Sequence, residues 1–167
     1  ENTDVIQVYT RESGSTKAGA LIPSSFSGNT VTVDTSHNNT PVWVGIKYTM
    51  SYTFSEQLFR QRANQKRSPS GYQRHFLKGG TLFFDDTASF KVEVTPKARQ
   101  TYTNTFSSNI VGSTTIGTLP IESGSFSFPI MSSAKDTTIK IINDSALPGN
   151  FQSAEFESFI HSRSQRV

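Results

Sequence analysis

Cysteine is absent from the 167 residues, which excludes a disulfide framework and any thiolate metal centre. Histidine is scarce: only His37, His75 and His161 occur. The many serines come without a Gly-x-Ser-x-Gly elbow, so nothing marks a nucleophile with its base. Ordinary surface histidines are the plainer reading of the three. Long apolar runs are missing too; no stretch approaches a membrane span, and no signal-peptide pattern is present. Hydrophobic residues make up only 34%, so any core is thin, and its bulk must come from the thirteen Phe.

Other chemistry fails on spacing. Gly79-Gly80 lacks both the downstream Lys-Ser/Thr and the following helix of a phosphate-cradling loop. Asp85-Asp86 and Asp144 are candidate oxygen ligands, but without EF-hand spacing they read as turn residues accepting backbone N–H bonds. Glu155 and Glu157 lie roughly 7 Å apart along one strand face, inside the roughly 6.5–9.5 Å range of an inverting glycosidase. Carboxylates side by side on one strand do not flank a substrate, so a solvated face or a basic neighbouring strand is the better reading. We therefore expect no enzyme, no catalytic residue, no metal and no cofactor.

What is present is alternation. Val42, Val44, Ile46, Tyr48, Met50, Tyr52 and Phe54 occupy every second position, the signature of a strand with one apolar face. At roughly 3.3 Å per residue this run would span on the order of 40 Å, longer than most strands. Gly45 is the expected place for a bulge. The seven side chains are expected to line a core shared with other strands, and this run to organise the chain.

Shorter segments follow the same rule. Asp4 to Thr10 and Asn29 to Asp34 read as strands on either side of a loop-like passage from Arg11 to Ser27. Arg74 to Phe84, with a bulge expected at Gly79-Gly80, and Ala88 to Val94 are expected to form a hairpin around an Asp85-Asp86-Thr87 turn. Tyr102 to Phe106, Phe126 to Ile130, Thr138 to Asn143 and Phe151 to Ile160 complete the set. A brief helical turn near Glu56 to Arg62 is a minor expectation. Eight to ten short strands with turn signals predict an all-β antiparallel sandwich with long loops, an open β-barrel being the alternative. A single β domain over residues 1–167 is expected, with N-terminal strands and loops in 1–40 and the core sandwich in 41–167. Because Glu1 opens the chain without Met, we read it as a C-terminal piece of a longer protein.

Charge is uneven. Between Gln57 and Phe84 there are six cations, Arg60, Arg62, Lys66, Arg67, Arg74 and Lys78, and no acid. Such a segment suits contact with an acidic surface of a partner, a hydrated loop, or phosphate binding without sequence readout. Trp43, with Tyr48, Tyr52, Tyr72 and Tyr102, is also a candidate sugar platform, which keeps open a carbohydrate-binding sandwich acting in host adhesion.

The order of several segments resembles a known family. Val44-Gly45-Ile46 with Tyr48 and Tyr52-Thr53-Phe54-Ser55, then Arg74, Leu77, Lys78, Phe84 and Asp86-Thr87-Ala88-Ser89-Phe90, is similar to the final region of tail tubular protein B. That is the nozzle protein of short-tailed, podovirus-type bacteriophages. Gly124 to Ile130, Ile141 to Pro148, Phe156-Glu157-Ser158 and the basic ending Arg163 to Val167 continue the resemblance. The chain departs from it where Phe156 replaces Trp, Ser158 replaces Gly, and Gly79-Gly80 interrupts a basic strand. The resemblance implies a structural virion component made in the host cytoplasm and assembled as a six-fold ring. It further implies contact with a tail adaptor protein and with tail fibres, and transient passage of double-stranded DNA during ejection.

Overall fold

The structure, a computed structural model, describes residues 6–14, 16–57, 62–63, 66–67, 74–108 and 118–161. The longest and best-packed strands lie from Arg74 onward. β9 (Arg74–Thr87) is the centre of a three-stranded sheet, flanked by β12 (Glu122–Ser133) and β14 (Asn150–His161). β10 (Ser89–Pro96) and β13 (Thr137–Asn143) are the middle of a four-stranded sheet, edged by β11 (Tyr102–Ser107) and β6 (Met50–Thr53). Every pairing is antiparallel. The two sheets bury Leu77, Leu82 and Phe84 against Phe90, Val92, Val94, Ile139 and Ile141, with Phe128 and Ile130 closing the side. This is an antiparallel β-sandwich, as the alternation predicts, and no sheet among the described residues closes into a barrel.

The core is aromatic where it is thickest. Phe90 meets Phe84, Phe126 and Phe151 edge-on and stacks on Phe106 at 5.0 Å between ring centroids. Edge-on and offset rings place the positive rim of one π-system on the negative face of another. The abundance of Phe thus compensates for scarce aliphatic residues in one place, around Phe90. Tyr102 links the sheets by donating its hydroxyl to the Ile130 carbonyl at 2.6 Å. Burial raises its pKa, opposed by the Arg99 charge.

Four expectations are corrected. First, Val42 to Phe54 is not one strand but two, β5 (Val42–Ile46) and β6, in different sheets. β5 pairs with β1 (Ile6–Thr10), which also pairs with β2 (Leu21–Ile22). Hydrogen-bonded pairs alternate along an antiparallel ladder. The Arg11 N–H donates to the Pro41 carbonyl, so Trp43 and Gly45 bond to β1 and the backbones of Val42, Val44 and Ile46 point away. Farther on, the Phe54 N–H donates to the Ile139 carbonyl, so Met50 and Tyr52 bond to β13 while Ser51 and Thr53 point away. The run therefore lends opposite edges to two sheets.

Second, β9 and β10 are not a hairpin. The chain crosses from one sheet to the other at Ala88, whose N–H donates to the Pro148 carbonyl and whose carbonyl accepts from the Ser108 N–H. Buried Thr87 secures the crossing, accepting from the Asn150 N–H at 2.9 Å. Asp85-Asp86 lies within β9, where Asp86 takes a φ of 44° opposite a register shift in β12. Third, the passage from Arg11 to Ser27 holds β2 and β3 (Ser24–Ser27), the latter paired with β4 (Thr30–Val33). Fourth, Glu56 and Gln57 are not helical and Arg62–Ala63 is strand, β7, paired with β8 (Lys66–Arg67); residues 58–61 lie outside the described residues.

The irregularity expected at Gly79-Gly80 falls one residue earlier. Glu157 opposes Gly79 but Ser158 opposes Leu77, so Lys78 is the extra residue. The glycines serve packing instead: a Cβ on Gly80 would come within 2.5 Å of the Phe128 ring, itself buried. Overpacking of this kind costs about 1–3 kcal/mol. Gly80→Ala is expected to lower stability by that amount in urea unfolding. Gly124→Ala, where nothing lies within 4 Å of the added carbon, is expected to be near neutral.

Candidate functional site

The run from Val42 to Tyr52 leaves the sandwich with apolar side chains uncovered. Trp43 is 61% exposed, Val44 52%, Ile46 72%, Tyr48 77% and Tyr52 56%. Of the seven side chains expected in a core, only Val42, Met50 and Phe54 are even half-buried. The reason is topological. β5 is the edge of its sheet, and beyond Val8, Thr10 and Ile22, which are buried on β1 and β2, nothing among the described residues covers its outer half. Val44 lies opposite Val8 and shares its face, yet one is open and the other closed.

Beside this edge lies a cleft of about 480 Å³, bounded by β1, β5 and the turn at residues 144–148. Arg11 stands over the Trp43 ring at 4.5 Å from its centroid, an arrangement favoured by the ring's electron-rich face. On the opposite wall Asn143 shapes the turn, accepting from the Ser145 N–H and donating to the Leu147 carbonyl. Gly19, at a φ of 71°, lets Leu147 pack directly against the backbone of the turn that leads into β2.

Asp144, at the cleft wall, accepts from Lys91 Nζ at 2.7 Å. That hydrogen bond, and the Lys91 and Lys47 charges, hold its carboxyl below the ordinary 3.8 despite partial desolvation. A carboxylate with a depressed folded-state pKa stabilises the fold above its unfolded pKa, and that contribution is lost as pH falls through the folded value. Both partners are exposed, and such pairs contribute about 0.2–1 kcal/mol. We expect Asp144→Asn to remove a shallow loss of stability below pH ~4, read by thermal unfolding across an acid pH series.

The basic segment is only partly gathered. Arg60 lies outside the described residues. Arg62 and Arg67 are register partners across β7 and β8, Lys66 pairs with Ala63, and Arg74 opens β9 opposite His161. Lys78 is on the open face of β9, bound to Glu157 at 2.8 Å. That pair meets the expectation of a basic partner for the β14 carboxylates; Glu155 lies opposite Thr81. Asp85 accepts from the Ser123 hydroxyl, and among the described residues no cluster of three or more His, Asp or Glu is placed to hold a metal ion. His37 closes a 3-10 turn capped by Asp34, and His75 Nδ1 lies 3.1 Å from the Gln57 carbonyl. No helix among the described residues is long and apolar enough to cross a membrane. The open corner at Ile46 and Tyr48 was missed because alternation looks the same whether the apolar face meets a sheet or solvent.

No curated protein matches the sequence. The family model described as bacteriophage nozzle protein matches residues 2–167, essentially from end to end. A match of that extent agrees with the resemblance in the sequence: the chain belongs to the bacteriophage nozzle protein family, structural components of the phage tail.

Proposed function

We propose that this chain is a subunit of a closed nozzle ring through which double-stranded DNA leaves the capsid, acting by contact alone. The observation that carries the reading is the edge of β5, unpaired among the described residues, with five exposed apolar side chains around it, in a chain of the nozzle family. Monomeric proteins seldom leave so much contiguous apolar surface open unless it is used. A sandwich of long strands such as β9, β12 and β14 makes a stiff wall, and its work is geometric. A six-fold ring, an adaptor protein above it and tail fibres beside it complete the proposed setting, with synthesis in the host cytoplasm. Arg60, Arg62, Lys66, Arg67, Arg74 and Lys78 are assigned to partner contact rather than tight DNA binding, since firmly held phosphates would impede passage. Negative-stain images of the protein are expected to show rings or tubes. A strictly monomeric protein at micromolar concentration would overturn the reading.

A second reading has its own observation. Trp43 and Arg11 stacked beside an open cleft resemble a sugar-binding platform, which would make the domain a carbohydrate-binding module in adhesion. Glycan-array binding that disappears with Trp43→Ala would support it; no binding, or binding indifferent to that change, would remove it.

A further inference from the structure

Beside the corner at β5 and β6, a second apolar patch is exposed at the far end of the sandwich. Phe159 of β14 lies directly opposite Phe76 of β9. Leu77 points into the core, so Phe76 and Phe159 share the outer face, and Ile160 is open at the sheet end. The patches are well separated. Met50 pairs with Asn143, and the chain turns at 144–148 before Asn150 joins β9 at Asp85, so the corner sits near the Asp85 end. From Asp85 to Phe76 an extended strand runs on the order of 30 Å.

We infer that these two patches are the two halves of one head-to-tail contact: the β5–β6 corner of one copy receives the Phe76 and Phe159 end of the next. The inference rests on the ring assembly proposed above and names its surfaces. A ring needs two different patches on each copy, because a self-complementary patch closes as a two-fold dimer instead. Area favours this occupant. Large aromatic side chains bury roughly 150–250 Å² each, so the corner with its Ile and Val offers on the order of 500 Å². A standard interface covers roughly 800 Å² per partner, so the corner supplies more than half. Charge adds one pair: Lys47 sits between Ile46 and Tyr48, where no acid occurs from Val42 to Thr53, and Glu155 precedes Phe159 on β14 opposite Thr81, Glu157 being held by Lys78 of the same chain. The backbone groups of Val42, Val44 and Ile46 that point away from β1 add donors and acceptors with no backbone partner among the described residues at the same place.

The native chain contains no cysteine, so cross-linking gives a clean test. Ile46→Cys and Phe159→Cys chains, one carrying a mass tag, are treated with a short bismaleimide alone and mixed, with sedimentation velocity run in parallel. The mixed cross-link is expected to exceed either like-with-like product by roughly tenfold, since a heterologous contact juxtaposes only unlike patches. The doubly substituted chain is expected to give a ladder of oligomers. Self-cross-linking of Ile46→Cys as the main product would overturn the inference in favour of a two-fold contact. Oligomers in sedimentation without the mixed cross-link would also overturn it, leaving ring assembly intact through other surfaces. Monomers alone would overturn both.

Discussion

Phe90→Ala is expected to be the most damaging single truncation in the sandwich, lowering stability by about 3–5 kcal/mol. The buried ring contacts four other rings, drawn from both sheets: Phe106 from β11, Phe84 from β9, Phe126 from β12 and Phe151 from β14. Removing it opens a cavity where the layers meet, and the flanking rings cannot all move inward because β9 is held between two partners. For a chain of this size each kcal/mol shifts the melting temperature by about 2–4 °C, so a fall of about 6–20 °C is expected by calorimetry. Phe90→Leu retains most of the volume and loses the edge-on contacts, so it should fall well short of the alanine loss. A Phe90→Ala chain that melts within a degree or two of the native one would mean that the core is organised elsewhere.

That hub was legible in the sequence only in part. Alternation in Ala88 to Val94 gave the right face, because β10 has covered neighbours on both sides and its inner row reads apolar without interruption. β13, with a neighbour on either side, was legible for the same reason; β14 is an edge strand whose inner row was legible, down to Ala154 and Phe156, because that row packs on the core. Sheet membership was not. Whether a short link such as Ala88 closes a hairpin or steps between sheets depends on distant groups, Pro148, Ser108 and Asn150. β2 escaped because two residues are too few for a period to show, and β3 because Ser-Ser-Phe-Ser carries a single apolar side chain. Val42 to Tyr52 misled more instructively. Its alternation is real, but a row of apolar side chains reports that something will cover it, not that the same chain will. The role of Gly80 was likewise invisible, since the ring it admits, Phe128, lies far along the chain.

Charging the open corner is expected to abolish assembly while sparing the fold, and this separates the two kinds of apolar row. Ile46 and Tyr48 are exposed, so Ile46→Asp with Tyr48→Asp should change unfolding stability by only about 0.5 kcal/mol per site. In an interface the same carboxylates would have to shed water against the apolar Phe76 and Phe159 side chains. Central anchors contribute about 2 kcal/mol or more each, and 1.4 kcal/mol is a factor of ten. Together the two changes are therefore expected to weaken association by about a thousandfold. Sedimentation velocity at concentrations where the native chain assembles reads the loss directly, with urea unfolding as the control. The matched change Val92→Asp, at a fully buried site on β10, should unfold the chain outright. If the doubly charged chain assembled like the native one, the corner would be solvent-facing in the assembled nozzle. If it unfolded, the row would be part of the core after all, covered in solution by some other part of the same chain.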